Sequence, residues 1–348
     1  MALVAVPQWW RMDKYADAVS VVASAPGKLV LSGEYAVLDG APAVCMAVNR
    51  RARVTLATSD TGYHTVTAPG LTDATGRFEV VDGEFEWLTD GGEFQIVEHV
   101  WQTANARMPG HLSLSLDSSE FKDNQSGIKF GIGSSAALTV ALSNALCEVA
   151  TTDADATRIA FAAHRQFQRG LGSGVDVACS SMGGLIEYTT GGATARRLDW
   201  PAGLAMGVVW VGVPASTSDK LEQLRRQAAR ASRAALVLGA RRLAAAWEGG
   251  EAGAILDEYR DYTNVLREFS VDHELGIFDA GHAELTAAAA RAGVVYKPCG
   301  AGGGDTGVIL ATDSAAVEAF AGVAREINAL HLDMHIDENG MLVERENP

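Results

Sequence analysis

The sequence predicts an α+β fold in two domains, residues 1–199 and 200–348. Three observations predict it. A glycine-rich turn, Gly131-Ile132-Gly133-Ser134-Ser135-Ala136-Ala137, opens onto an Ala/Leu/Val-rich run at 136–150 that reads as a buried helix. Strand-like segments precede that turn, and Leu112-Ser113-Leu114-Ser115-Leu116 alternates cleanly, as a half-exposed strand does. After Trp200-Pro201-Ala202-Gly203, whose turn chemistry separates two periodic regions, strands at 293–297, 306–311, 330–336 and 341–345 alternate with the last two helices, the pattern of an α+β sandwich.

Taken in order, residues 21–25 form a short apolar strand that Pro26-Gly27 interrupts and 28–31 resumes. Residues 33–38 run to Asp39-Gly40, a hairpin signal. Strands follow at 43–48 and 51–57, with short candidates at 63–67 and 78–81 and a helix at 94–106. Beyond the central helix, a helix at 154–169 is broken by Gly170-Leu171-Gly172-Ser173-Gly174. Residues 175–181 are short and small-sided, and 184–188 read as a strand. The second domain has a buried strand at 206–213, a long Arg- and Ala-rich helical stretch at 218–247, and helices near 250–268, 280–291 and 314–327.

The 348 residues are 48% hydrophobic and 20% charged, with a net charge of -15, which argues against nucleic acid and anionic membranes as general partners. Lysine is scarce, and three of the six, Lys28, Lys129 and Lys297, lie beside glycine-rich stretches. Cys45, Cys147, Cys179 and Cys299 stand far apart without a Cys-x-x-Cys pair, so they are expected to be reduced and buried, with no zinc site. No apolar run reaches the ~18 residues of a membrane span. The N-terminal stretch with Trp9, Trp10, Arg11 and Lys14 lacks a signal-peptide core, so a cytoplasmic protein is expected, with the Trp pair packed locally.

Four stretches carry chemistry. The first turn of a helix opened by the 131–137 loop offers unpaired N–H groups and the positive end of a dipole, which suit a phosphate, and its serines could bond a phosphate oxygen or Mg2+. A plain turn with a serine cap is the alternative. A Walker A loop is excluded because Ser134 stands where Lys is required, and Asn124-Gln125-Ser126-Gly127 is too poor a strand for a dinucleotide fingerprint. Lys28 follows a Pro-Gly bend on a strand, where it is either an edge charge or a site lysine. Asp176, after Gly172-Ser173-Gly174, is either a helix cap or a general base in a cleft. Lys297-Pro298-Cys299-Gly300-Ala301-Gly302-Gly303-Gly304-Asp305 clusters glycines between two apolar strands, which permits close backbone approach.

The order of these motifs resembles the GHMP kinase superfamily, named for galactokinase, homoserine kinase, mevalonate kinase and phosphomevalonate kinase. That family carries a Pro-Gly-Lys strand, a Gly-Leu-Gly-Ser-Ser-Ala loop and a C-terminal Gly-rich loop, and the likeness spans roughly residues 22–345. The resemblance implies an N-terminal domain like the second domain of ribosomal protein S5, a C-terminal ferredoxin-like domain and an active site in the cleft between them. It implies ATP and Mg2+ as cofactors and a small-molecule acceptor. Lys28 and Asp176 would be catalytic. Lys129, Gly131, Gly133, Ser134, Ser135 and Ala136 would hold the ATP phosphates, with Ser134 or Ser135 on the metal. Ser173, Gly174, Arg169, Ser216, Thr217, Gly302 and Gly303 would contact the acceptor.

Within the family, Tyr35, His164, Gln168, Gly172-Ser173-Gly174-x-Asp176-Val177-Ala178 and Gly300–Asp305 are similar to the phosphomevalonate kinase branch, which implies 5-phosphomevalonate as acceptor and the 5-diphosphate as product. Mevalonate kinases place a Mg2+-binding Glu eleven residues before the catalytic Asp, where this chain has Arg165. Phe167 in place of Ala, and Arg169-Gly170 in place of Gly-Lys, depart from the branch pattern. Mevalonate or another small alcohol is the alternative acceptor, and a non-catalytic sensor on the same fold is the alternative of another class. The assembly, monomer or homodimer, stays open.

Overall fold

Two sheets carry the fold in the computed structural model, which describes residues 20–108, 110–190, 194–227 and 230–346. Trp9, Trp10, Arg11 and Lys14 lie outside the described residues. In chain order the first half holds β1 (Ser20–Ser32), β2 (Ala43–Ser59), β3 (His64–Ala68), β4 (Thr72–Val81), β5 (Glu84–Trp87), α1 (Gln95–Ala104) and β6 (His111–Asp117). It continues with α2 (Ser134–Val149), α3 (Ala156–Phe167), α4 (Val175–Met182), β7 (Leu185–Thr189) and β8 (Thr194–Leu198). The second half holds β9 (Ala205–Trp210), α5 (Thr217–Arg225), α6 (Ala231–Gly249), α7 (Ala252–Asp272), α8 (His282–Ala292), β10 (Val295–Pro298), β11 (Thr306–Ala311), α9 (Ser314–Glu326), β12 (Leu330–Leu332) and β13 (Leu342–Glu346).

The first sheet runs β13-β1-β2-β6-β3-β4-β5, with β7 and β8 continuing from the other end of β2. β1 and β2 are long continuous strands where the sequence suggested two short ones each. The register of β1 against β2 slips between Pro26 and Gly27, because proline has no N–H for the ladder and a bulge absorbs the mismatch. Beyond that bulge β2 changes partners, pairing with β6 through Arg53–Ser59 and with β7 through Ala43–Met46. α2 is apolar nearly all round, so it is buried between this sheet and α3.

The second sheet is antiparallel throughout, in the order β10-β11-β9-β12. Three expectations change here. Residues 341–345 leave this sheet: β13 pairs with β1, Val21 opposite Arg345 and Ser24 opposite Leu342, and so covers the outer edge of β1. The stretch at 218–247 is two helices, α5 and α6. Residues 175–181 form a helix, α4, started by Gly174 in the left-handed region. Cys45, Cys179 and Cys299 are buried, Cys147 is half-buried, and all four are thiols. Among the described residues no helix is long and apolar enough to cross a membrane.

Candidate active site

The 131–137 loop reaches its place through β1. The Lys28 N–H donates to the Ile132 carbonyl at 2.8 Å, and Gly27 lets that carbonyl and the Phe121 ring lie against its α-carbon. Gly131 and Gly133 have φ of +77° and +82°, a region that strains any residue with a Cβ. Both also lack room for one. A Cβ on Gly133 would meet the Lys28 side chain at 2.9 Å, and one on Gly131 would overlap the Asp305 carboxylate. Gly133 is the N-cap of α2, so the serines fall in the first turn rather than at the cap. No group among the described residues accepts from the N–H of Gly133, Ser134 or Ser135. The Ser134 hydroxyl is likewise without a protein partner among them, and the Ser135 hydroxyl meets His164 Nε2 at 3.2 Å. Lys129 bridges Lys122 across the turn that leads into the loop. Burial lowers its pKa, the Lys122 charge lowers it further, and Asp305 opposes both.

Asp176 lies in the first turn of α4, whose N-cap is Gly174. Burial pushes its pKa up, but His164, Lys28 and the backbone N–H groups of Asp176 and Val177 outweigh burial, so its carboxyl titrates below the usual range. The packing of α2 with α3 and α4 brings His164 between Ser135 and Asp176. Burial lowers the His164 pKa, the Asp176 charge opposes this, and Lys28 lowers it further. In the sequence His164 stands out only as part of a branch pattern. Its single signal is its place twelve residues before Asp176, on the helix that precedes the glycine break.

The second half closes the site. Tyr35, at φ +61°, donates its hydroxyl to the Ala301 carbonyl at 2.7 Å. Glu34 and Lys297 form a fully buried ion pair, so Lys297 is a structural partner and not a cation facing the cleft. Tyr262 joins them, donating to Glu34 Oε2 at 3.2 Å and accepting from the Gly33 N–H at 3.0 Å. Burial raises the Glu34 pKa against the pull of Lys297. Asp305 ends the glycine run and faces Lys28, Lys129 and Lys220, which come from β1, the loop before α2, and α5.

These contacts enclose a cleft of about 100 Å³ lined by Lys28, Glu34, Tyr35, Gln168, Ser173, Asp176, Thr217 and Gly300. Lys28, Asp176, Ser173 and Thr217 are therefore brought together as expected residues of one site. Other candidates stand apart from it. Gly302 packs on Ile277 and Gly303 on Lys220 and the Gly276 carbonyl. The Ser216 hydroxyl caps α5 by accepting from the Asp219 N–H. Arg169 is exposed in the turn after α3, at φ +54°. The loop fits a polyphosphate with its metal: its N–H groups and one hydroxyl are unpartnered among the described residues, and the Lys28 side chain lies against Gly133. With His164 on Ser135 and Asp176 beside His164 and Lys28, the arrangement can neutralise a transferring anion and hold a proton-bearing acceptor.

Residues 97–184 match the GHMP kinases N terminal domain. The phosphomevalonate kinase of Streptomyces sp. (strain CL190) is 33% identical over 340 residues, covering 84% of this chain and 90% of that protein. Among solved structures, Streptococcus pneumoniae phosphomevalonate kinase in complex with phosphomevalonate and AMPPNP superposes with a TM-score of 0.74 at 20% identity, covering 91% of this chain and 99% of that one. Lactococcus lactis galactokinase complexed with galactose superposes with a TM-score of 0.71 at 13% identity, covering 95% and 96%. The two superpositions show a shared mixed α+β fold.

Proposed function

The chain belongs to the GHMP kinase family, and from that membership we propose that it transfers the γ-phosphoryl group of ATP to 5-phosphomevalonate, giving the 5-diphosphate. The observation that carries the reading is the meeting of Lys28 and Asp176 in one cleft beside a glycine loop with unpartnered N–H groups. The likeness to a phosphomevalonate kinase through most of the chain supports the acceptor. Arg165, where a metal-binding Glu would mark a mevalonate kinase, supports it further. The β-α-β-β-α-β order of the second half, with its sheet in the order β10-β11-β9-β12, supports a ferredoxin-like reading of that domain.

Phosphoryl transfer needs positioning and charge neutralisation more than covalent help from the protein. The N–H groups of Gly133, Ser134 and Ser135 would hold the nucleotide phosphates at the positive end of α2, with Lys129 beside them. Mg2+, held by Ser134 or Ser135, would supply further neutralisation of the phosphate charge. Lys28 would follow the transferring group across the cleft. The acceptor phosphate, with a second pKa near ~6, arrives largely ionised at neutral pH. A low-pKa Asp176 suits this acceptor, because the carboxylate orients Lys28 and has little proton to remove. Ser173 and Thr217 line the cleft and would contact the acceptor, while Arg169 stands apart from it, exposed in the turn after α3.

The reading is tested by ADP release with mevalonate, 5-phosphomevalonate, galactose and homoserine as acceptors. The expected kcat/KM on 5-phosphomevalonate is at least about tenfold that on mevalonate, a difference of ~1.4 kcal/mol. Equal efficiency, or a preference for mevalonate, would move the assignment to a mevalonate kinase.

A further inference from the structure

Asp305 is an acidic group set directly against the phosphate loop. Its carboxylate lies where a Cβ on Gly131 would have to go. It is also fixed. Its N–H donates to the Val213 carbonyl at 2.7 Å, its carbonyl accepts from the Val211 N–H at 3.0 Å, and its Oδ1 accepts from the Ala215 N–H at 3.2 Å. Its backbone stands at φ +57°, left-handed for a residue that is not glycine. Lys28, Lys129 and Lys220 face the carboxylate. Lys122 also faces Lys129, and Asp279 also faces Lys220.

A polyanion seated on the loop therefore meets one fixed negative charge inside a ring of lysines. Unit charges a few ångströms apart interact by several times thermal energy even at an effective dielectric of ~20. A bare polyphosphate meets that repulsion in full. A divalent cation on the phosphate oxygens turns the same carboxylate into an attractive partner.

We propose that Asp305 is a specificity-determining residue that makes this site discriminate between metal-bound nucleoside triphosphate and the free polyanion. This rests on the reading of the site as an ATP site. The carboxylate cancels part of the lysine charge, so that metal-free ATP binds weakly and the metal complex is selected.

The test is ATP affinity by titration calorimetry, once in EDTA and once in excess Mg2+. Asp305→Asn removes the charge while keeping the size, the tolerance of a left-handed backbone and the acceptor for Ala215. It is expected to tighten metal-free ATP at least about tenfold without tightening Mg·ATP, so that the ratio of the two Kd values shrinks by the same factor, ~1.4 kcal/mol. Asp305→Gly, also at ease with this backbone, is expected to move the ratio in the same direction. An unchanged ratio in both variants, with wild type binding both forms, would overturn this inference and leave the kinase reading standing. A wild-type chain that bound neither form would overturn the kinase reading and this inference with it.

Discussion

The two glycine runs that meet at the cleft have similar composition and opposite physics. The first, at 131–133, ends in a sixteen-residue helix and leaves N–H groups and a hydroxyl unpartnered. Its crowded α-carbons touch side chains, those of Lys28 and Asp305. The second, at 300–304, joins two antiparallel strands and is packed against backbone: Gly302 on the Ile277 carbonyl and Gly304 on the Val213 carbonyl. It is also held from behind. The His282 Nε2–H donates to the Gly304 carbonyl at 2.9 Å, which leaves Nδ1 to accept from the Tyr296 hydroxyl at 2.7 Å. One run sets its crowded glycines against side chains at the start of a helix, and the other is pinned to backbone, with the Gly303 N–H on the Ile277 carbonyl and the Gly304 carbonyl on His282. Glycine content alone does not distinguish a binding loop from a packed connector.

The largest expected effect comes from Gly302→Val. Its Cβ would lie 2.6 Å from the Ile277 carbonyl oxygen, at φ +66°. Overpacking and backbone strain together should remove about 3 kcal/mol or more of stability, read from urea unfolding. Gly133→Ala should cost only about 1–2 kcal/mol in fold, because the long Lys28 side chain it would meet can yield, while KM for ATP rises. If Gly133→Ala unfolded the chain and Gly302→Val did not, the contrast between the runs would be inverted.

The next effect is pH dependence of the packed run. Burial pulls the His282 pKa down to about 4 from an ordinary value of 6.5. Between those values the unfolded chain binds the proton more readily. The stabilisation is therefore complete above pH 6.5 and is lost as pH falls toward 4, by up to about 3 kcal/mol. Urea midpoints at pH 7 and 4.5 should converge in His282→Gln relative to wild type. A wild-type slope retained in that variant would place the titration elsewhere. A smaller effect is expected at the open run. Replacing Ser134 and Ser135 together by Ala should raise the Mg2+ needed for half-maximal turnover about tenfold, about 1.4 kcal/mol, with unfolding nearly unchanged. Wild-type turnover at limiting Mg2+ would remove both serines from the metal.

What was legible in the sequence was contiguous. The Pro26-Gly27-Lys28 bend, the loop with α2, and the Gly172–Asp176 break each hold their signal within a few residues, and local sterics write it there. What was not legible depends on distant pairing. β13 finds β1 across some three hundred residues, and nothing in residues 341–345 separates that partner from the nearer β12. Lys297 stands beside glycines in the sequence, but Glu34, far back in the chain, claims it in the core. His164 reads as one more residue of an amphipathic helix until α2 and α4 pack around it. Asp305 reads as the end of a glycine run until the two halves meet.

The proposed transfer of the γ-phosphate of ATP onto an acceptor that already carries a phosphate is read out by phosphorus NMR of the chain incubated with Mg·ATP and 5-phosphomevalonate. The acceptor monophosphate resonance is expected to disappear and paired diphosphate resonances to grow as ADP forms. An unchanged monophosphate resonance with 5-phosphomevalonate, alongside a new monoester resonance when mevalonate is supplied instead, would contradict it.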